Sequence, residues 1–310
     1  MLKEYKNFNI SRTDKNNIIL IGNFDGLHVG HQQLFKLAKI YSNKFKLKIG
    51  VLTFDPLPIM FFNKRLSNYR IINNYQKKIL FYKAGADFII TQKFDKKFSK
   101  ISSSQFIEKI IVKKINPKFI FVSNNFRFGF KRIGNVEQLK QKENVFSYKI
   151  IKPLLLKKGK KIVSSTLVRK YLQIGKLKEA NKLLKRNWAI NGVVEKGRQV
   201  GKKLGFPTCN IDLKDYIIPK LGVYSVKTEL VNQKKIYKGI ANIGYRPTFG
   251  GKKILLEVNL FSFNGNLYNK SLNVSFYSFI RGEKKFKNHK ILIQQIKKDL
   301  KQAKFDLNKN

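Results

Sequence analysis

GNFDGLHVGH, from Gly22 to His31, is the stretch that decides the fold of the first half of this chain. The run before it, Asn17 to Ile21, predicts a buried strand, and apolar residues at helical spacing after it predict a helix over His31–Ser42. The stretch therefore joins the carboxyl end of a strand to the amino end of a helix, where unpaired backbone N–H groups attract anions. We expect phosphate chemistry in this loop.

The stretch holds two of the three histidines of the chain. His28 and His31 are three residues apart, so a helix that begins near Val29 points both into one pocket, where two imidazoles can hold one polyphosphate. A zinc pair is the first alternative, although neither an HExxH pattern nor a cysteine cluster stands nearby. The second alternative is that the glycines only form turns and the histidines are solvated.

The rest of the first half alternates strand-like and helix-like segments, which predicts a parallel sheet. After the first strand, strand-like runs lie at Lys48–Thr53, Asp87–Thr91 and Lys118–Ser123, and helix-like runs at Tyr75–Ala84 and Ser104–Ile115. The segment from Ser164 to Leu184 starts with Ser and Thr and has apolar residues at helical spacing, so it predicts one capped helix.

Beyond Arg186 the pattern changes to short β-rich runs separated by Gly, Pro and Asn turns, which predicts a compact antiparallel barrel. Lys290–Ala303 then predicts a closing helix. We place the domain boundary near Arg186, so the first domain covers residues 1–186 and the second 187–310. The β-rich runs are Ala189–Val194, Gly222–Thr228, Ile236–Ile243, Ile254–Phe261 and Leu272–Phe279.

Composition predicts a folded cytoplasmic protein. The 310 residues are 43% hydrophobic, no apolar run reaches membrane-spanning length, and the first residues lack the apolar core of a signal peptide. A single cysteine, Cys209, excludes an internal disulfide framework.

The formal net charge of +47 raises the question of a polyanionic partner. Lysines are scattered through every segment, and Lys, Asn, Ile and Phe are abundant together, which is typical of codon drift in an AT-rich genome. We favour drift over selected polyanion binding, with a faster encounter with anionic small molecules as a secondary benefit. A basic RNA-binding protein is the alternative from another functional class.

Seven segments, in order along nearly the whole chain, resemble bacterial bifunctional riboflavin kinase/FAD synthetases. The resemblance implies a Rossmann-like nucleotidyltransferase domain followed by a β-barrel riboflavin kinase domain with a C-terminal helix. It also implies ATP-dependent phosphorylation of riboflavin to FMN, then adenylylation of FMN to FAD with release of pyrophosphate. A protein that retains only one of these activities is the alternative among enzymes. The segments are GNFDGLHVGH, TFDPLP from Thr53, NNFRFG from Asn124, SSTLVR from Ser164, LGFPTCN from Leu204, NIGYRPTFGG from Asn242 and LEVNLF from Leu256.

The two reactions need different residues, because their nucleophiles differ in protonation. The alcohol of riboflavin must lose a proton when it attacks the γ-phosphorus of ATP, so a carboxylate base helps. The phosphate of FMN is already an anion at neutral pH, so its attack on the α-phosphorus needs positioning and positive charge instead.

For adenylyl transfer, the resemblance implies that His28 and His31 stabilise the transition state. It likewise implies that the ATP and flavin phosphates are bound by Asn23, Asn125, Ser165, Thr166 and Arg169. An ordinary helix N-cap is the alternative for SSTLVR. We assign no catalytic role to Asp25.

For the kinase reaction, the resemblance makes Glu257 the catalytic base. LGFPTCN resembles the PTxN element, in which Thr208 and Asn210 bind Mg²⁺ together with ATP, and oxygen ligands suit this cation. Glycines around the element allow the backbone to approach phosphates closely, namely Gly197, Gly201 and Gly205. The segment that starts at Gly197 is not a Walker A loop, since its spacing is one residue short and no Ser or Thr follows the lysine.

The expected partners are therefore riboflavin, FMN, FAD and ATP, with neither a membrane nor a specific nucleic acid among them. None of the residues with an assigned catalytic or binding role departs from the family pattern. The residues that differ from the usual family residue are Ser123, Lys202, Cys209 and Asn259.

Overall fold

The structure is a computed structural model that describes residues 2–146, 148–151, 157–158, 161–197, 201, 204–231, 233, 235–248 and 251–309. The chain divides into two compact units. The first unit consists of Met1–Ser67 and Asn74–Ser164, and the second of Asn68–Asn73 and Ser165–Asn310.

The first unit is built on a parallel sheet with the strand order β1-β4-β3-β2-β5-β8. The predicted alternation of strands and helices is confirmed. The three-residue edge strands β1 and β8 were not predicted, since they are too short for a periodic signal. The strands are β1 Lys3–Tyr5, β2 Ile18–Ile21, β3 Ile49–Asp55, β4 Phe88–Lys93, β5 Phe119–Phe121 and β8 Lys149–Ile151, and short pairs are formed by β6 Arg127–Phe128 with β7 Gly134–Asn135 and by β9 Lys157–Lys158 with β10 Lys161–Ile162.

Helices of the first unit connect these strands. The predicted helix over Ser104–Ile115 is a short α-turn that continues as a π-helix over Phe106–Ile115. Short 3₁₀ turns lie at Arg12–Asp14 and Phe130–Arg132. The α-helices are α1 Val29–Phe45, α2 Pro58–Phe62, α3 Asn74–Lys83, α4 Lys96–Ser99, α5 Ser103–Gln105, α6 Val136–Gln141 and α7 Glu143–Phe146.

Both faces of this sheet are covered, which explains the continuous apolar sequence of β2. All four residues of β2 are buried. Ile18 and Leu20 pack with Leu34 of α1 on one face, whereas Ile19 and Ile21 pack on the other face with residues of the π-helix, such as Ile111.

The second unit contains the predicted antiparallel barrel, which is closed in the order β11-β12-β15-β14-β13-β16. Alternate residues are buried in β12 and in the second half of β15, as Leu256 and Val258 are on either side of Glu257. The closing helix is confirmed and longer than predicted. The strands are β11 Ala189–Glu195, β12 Cys209–Asp212, β13 Gly222–Leu230, β14 Ile236–Thr248, β15 Gly251–Leu260 and β16 Ser271–Gly282, and the helices are α8 Ser165–Gln173, α9 Leu177–Leu184 and α10 His289–Asn308.

The prediction of one helix over residues 164–184 is wrong, because α8 and α9 are separate helices. Gly175 lies between them with φ +76°, a left-handed conformation that ends a helix and favours glycine. The helical spacing of the apolar residues continues on both sides of this break, so periodicity did not reveal it.

The segment Asn68–Asn73 packs with the second unit. Arg70 forms a parallel bridge with Tyr216 and an ion pair with Asp215, and the indole N–H of Trp188 donates to the Ile71 carbonyl at 2.9 Å. Helices α8 and α9 also belong to this unit. The assignment of residues 1–186 and 187–310 to two catalytic domains stays a prediction.

None of the helices in the described ranges combines the length and apolar character needed to cross a bilayer.

Buried Asp14 connects β1 to the residue that precedes β3. Its carboxylate is 2% exposed and accepts hydrogen bonds from Lys48 (2.7 Å), Tyr5 (2.6 Å), Lys3 (2.9 Å) and Ser11 (3.0 Å). Burial alone raises the pKa of a carboxyl group, but these donors outweigh it and hold the pKa of Asp14 well below its ordinary value.

We predict that Asp14→Asn lowers the free energy of unfolding at pH 7 by about 2 kcal/mol, because Lys3 and Lys48 lose the negative charge with which they pair. The carboxylate stabilises the fold fully above its unfolded pKa of about 4, and this stabilisation is lost as pH falls toward the lower folded pKa. Urea denaturation of both proteins at pH 7 and pH 3 should show the difference narrowing in acid. Glu108→Gln, at an exposed site, is the control, and an equal difference at both pH values would contradict the prediction.

Candidate active sites

The topology of the parallel sheet sets the first candidate site. Strand β2 pairs with β3 on one side and β5 on the other, so the chain reverses its direction of winding at β2. In such sheets, ligands bind at the carboxyl ends of the strands at this reversal. GNFDGLHVGH leads from the end of β2 into the first turn of α1, TFDPLP covers the end of β3 and the residues after it, and NNFRFG follows β5.

The motif loop is tightly wound, and its glycines have identifiable roles. Phe24, Gly26 and Leu27 have φ values of +48°, +83° and +38°. A Cβ at Gly22 would come within 3.1 Å of the Phe24 ring, and one at Gly30 within 3.1 Å of the His28 ring. Gly22 and Gly30 therefore do more than form turns. Because they have no side chain, they leave room for the rings of Phe24 and His28.

His28 and His31 are stacked face to face. Their ring centroids are 3.7 Å apart, the planes differ by 20°, and His28 is 5% exposed. The ring of Phe24 packs edge-on against His31 at 5.2 Å. Burial, with the neighbouring His28 and Lys77, holds the pKa of His31 well below its ordinary value of 6.5. His31 is therefore a neutral imidazole at neutral pH.

Asn23 and Asn125 are exposed in the loops that follow the adjacent strands β2 and β5. The backbone carbonyl of Asn23 accepts from the Thr53 hydroxyl at 3.4 Å. Ser123, at a usual glycine position, donates from its hydroxyl to Oδ1 of Asn125 at 3.0 Å. The sheet thus brings both predicted phosphate-binding asparagines to the edge that carries the histidines.

The remaining predicted residues for adenylyl transfer lie on α8, in the second unit. The helix begins at Ser165, and Thr166 is exposed. Arg169 is 7% exposed, its Nε donates to the Tyr69 carbonyl at 2.9 Å, and its guanidinium stacks 3.7 Å from the Tyr69 ring centroid. The role of these residues on ATP phosphates stays a prediction.

The second candidate site lies on the outer face of the barrel. Glu257 on β15 is directly opposite Asn210 on β12 and Asn242 on β14. Directly opposed residues share one face of a sheet, and all three are half-buried, while Leu256 and Val258 fill the interior. The register thus places a carboxylate between two amides.

The predicted metal ligands lie beside this row. The Oδ1 atom of Asn210 is buried and accepts no hydrogen bond from the described residues. A Cβ at Gly197 would collide with the Asn210 amide, and one at Gly201 would come within 3.2 Å of the Thr208 hydroxyl. Gly205 has φ +83°. The glycines therefore leave room for the two side chains that the PTxN resemblance assigns to Mg²⁺.

Two of the atypical residues lie beside Thr208, one bound to the backbone and one buried. Asn259 donates to the Pro207 carbonyl at 2.6 Å, and burial raises the pKa of the Cys209 thiol to about 11. Cys209 is therefore a protonated packing residue. Lys202 lies outside the described residues.

Sequence reasoning missed two polar residues at these sites. Lys77 on α3 is 2% exposed near the histidines, and with 65 Lys and Arg residues in the chain no sequence signal singled it out. Asn242 opens a recognised segment, but only the strand register places it beside Glu257.

Comparison with protein families assigns each half of the chain. Residues 10–167 match the sequence model described as FAD synthetase, and residues 184–307 match the one described as riboflavin kinase.

Curated relatives match along nearly their whole length. The bifunctional riboflavin kinase/FMN adenylyltransferase of Buchnera aphidicola subsp. Schizaphis graminum is 40% identical over 301 residues, which cover 96% of each chain. Proteins of the same description from Haemophilus influenzae (35% identical, 96% of each chain) and Escherichia coli K12 (33%, covering 94% of this chain and 93% of the relative) are also similar.

A solved structure shares the fold. The crystal structure described as a macrolide-efflux protein from Streptococcus pneumoniae superposes with a TM-score of 0.82 at 30% identity and covers 96% of each chain. The family matches and the full-length relatives agree, and this chain belongs to the bifunctional riboflavin kinase/FMN adenylyltransferase family.

Proposed function

We propose that this chain phosphorylates riboflavin to FMN and then adenylylates FMN to FAD, with ATP as the donor in both reactions. The observation that carries the proposal is the contrast between the two sites. One has a carboxylate between two amides, as an alcohol nucleophile requires, and the other has stacked histidines, as a nucleophile that is already ionised requires.

In the kinase reaction, Glu257 accepts the proton of the attacking riboflavin hydroxyl. Its half-buried position between Asn210 and Asn242 limits the directions in which the carboxylate can turn. The bond from the alcohol oxygen to the γ-phosphorus forms as the bond to the β-phosphate oxygen breaks, and ADP leaves.

The donor set beside Glu257 fits Mg²⁺. The hydroxyl of Thr208 and the buried Oδ1 of Asn210 are neutral oxygen ligands, and the latter accepts no hydrogen bond within the described residues. Mg²⁺ prefers oxygen ligands and commonly completes its shell with substrate phosphates and water. When bound, the cation offsets negative charge on the ATP phosphates. Gly197 and Gly201 keep the space around both ligands open.

In the adenylyl-transfer reaction, the phosphate of FMN attacks the α-phosphorus of ATP and pyrophosphate leaves. His28 and His31 donate hydrogen bonds to the phosphoryl oxygens as negative charge shifts toward the leaving group. Asn23 and Asn125 bind phosphate oxygens at the same sheet edge. The stacking of His28 and His31 at 3.7 Å holds both rings in one orientation.

We expect the purified protein, incubated with riboflavin, ATP and Mg²⁺, to form FMN first and FAD later, because the second reaction consumes the product of the first. Chromatographic separation of the flavins over time measures both steps. Accumulation of FMN alone would indicate that only the kinase is retained, and FAD formed only from added FMN would indicate that only the adenylyltransferase is retained. Salt-sensitive RNA binding without any flavin turnover would favour the RNA-binding alternative.

Glu257→Gln should lower the rate of FMN formation about 10²- to 10⁴-fold, since the amide cannot accept the proton of the alcohol. Conversion of added FMN to FAD should stay at the wild-type rate, as measured in the same preparation. Glu229→Gln removes an exposed glutamate from β13 of the same barrel and is the matched control. Equal losses in both reactions would contradict the assignment of Glu257 as the base.

His28→Ala should lower the rate of FAD formation about 10²-fold or more, because one preorganised donor to the transition state is lost. FMN formation should be unaffected. His289→Ala, at the exposed start of α10, changes the one histidine outside the motif. Normal FAD formation in His28→Ala would exclude the role proposed for this ring.

A further inference from the structure

Helix α3 presents one buried face to the motif loop. Lys77 and Phe81 are four residues apart and therefore lie on the same side of the helix, where they are 2% and 0% exposed. The Phe81 ring packs edge-on against Phe24 at 5.7 Å, and Phe24 packs against His31 at 5.2 Å. The helix face that carries Lys77 therefore contacts the histidine pair through Phe81 and Phe24.

Lys77 is also connected to the motif loop through Thr53. Its Nζ lies 3.5 Å from the Thr53 hydroxyl, and that hydroxyl lies 3.4 Å from the Asn23 carbonyl oxygen. The directions are consistent, because the ammonium donates to the hydroxyl and the hydroxyl donates to the carbonyl. Thr53 is 1% exposed near the end of β3, next to β2.

A buried ammonium is costly in free energy unless it interacts with negative charge or polar groups. Here it lies at the sheet edge where the proposed reaction brings together the phosphate of FMN and the three phosphates of ATP. Within the described part of the chain, His28 on the same turn and Lys77 on α3 are the charged groups that lower the pKa of His31, and the motif loop also contains the buried carboxylate of Asp25.

We infer that Lys77 is a positioning residue for adenylyl transfer. Its buried ammonium holds Thr53, and through it the motif loop, and gives the histidine pair a fixed positive neighbour. The inference rests on the proposed adenylyltransferase function of this site. Lys77 acts through Thr53 and His31, and not as a proton donor or acceptor.

The fixed charge of Lys77 influences the protonation of His31. A positive neighbour disfavours protonation of His31, and burial acts in the same direction. His31 then stays neutral before substrate binds, and Lys77 is the cationic neighbour of the histidine pair.

Lys77→Met tests the inference, because it keeps the length of the side chain and removes the charge. Lys78→Met is the matched control, since the adjacent lysine forms an ion pair with Glu4 at the surface. In histidine-labelled protein, NMR follows the imidazole signals against pH, and the chain has only His28, His31 and His289 to assign. We expect the titration midpoint of His31 to rise in Lys77→Met and to stay at its wild-type position in Lys78→Met. A His31 signal that titrates no higher in Lys77→Met than in wild type, or that moves equally in Lys78→Met, would overturn the inference.

Turnover supplies the second readout. Lys77→Met should lower kcat for FAD formation about 10-fold or more, while FMN formation stays at the wild-type rate and an NMR spectrum dispersed like that of the wild type shows that the first unit is folded. Thr53→Val cuts the connection to the motif loop but keeps the charge, so kcat should fall without a change in the His31 titration. An unchanged kcat in both variants would overturn the positioning role. Wild-type protein that makes no FAD would instead refute the proposed function, and the NMR comparison would be unaffected.

Discussion

The parallel pairing of β2 with β3 and β5 is the constraint on which the first site depends. Parallel strands bring their carboxyl ends to one edge, so three loops that are distant in sequence converge there. His28 follows β2, Thr53 lies near the end of β3, and Asn125 follows β5. The apolar side chains of β2 are buried on both faces, and this burial holds the strand, and therefore the loop, in register.

In the barrel, the antiparallel register of the strands positions the residues of the second site. Closure of the sheet opposes β12, β15 and β14, and the period of two along each strand turns Asn210, Glu257 and Asn242 outward together. A slip by one residue would turn Glu257 into the core and expose Leu256. The packing of the interior and the geometry of the kinase site are thus consequences of one register.

The sequence predicted the parts of the fold that have a strong periodic or apolar signal. The strands around GNFDGLHVGH, the barrel runs and the last helix are of this kind. It did not predict the edge strands β1 and β8, which are too short, or the break at Gly175, where apolar spacing continues across two helices. Lys77 was also missed, because nothing in the sequence distinguishes this buried lysine from the many solvated lysines of the chain.

The sequence by itself determined which chemical groups are available: two histidines on one turn, a glutamate in a β-rich run, and oxygen donors among glycines. Ordered motifs were enough to predict the family. Only the tertiary structure decided the state and surroundings of those groups. The neutral His31, the buried ammonium of Lys77 and the carboxylate of Glu257 between two amides all depend on burial and on contacts across strands and helices. The charge of a group and its hydrogen bonds depend on its distance from other groups and on its exposure to solvent. These distances and exposures are fixed only when the chain folds.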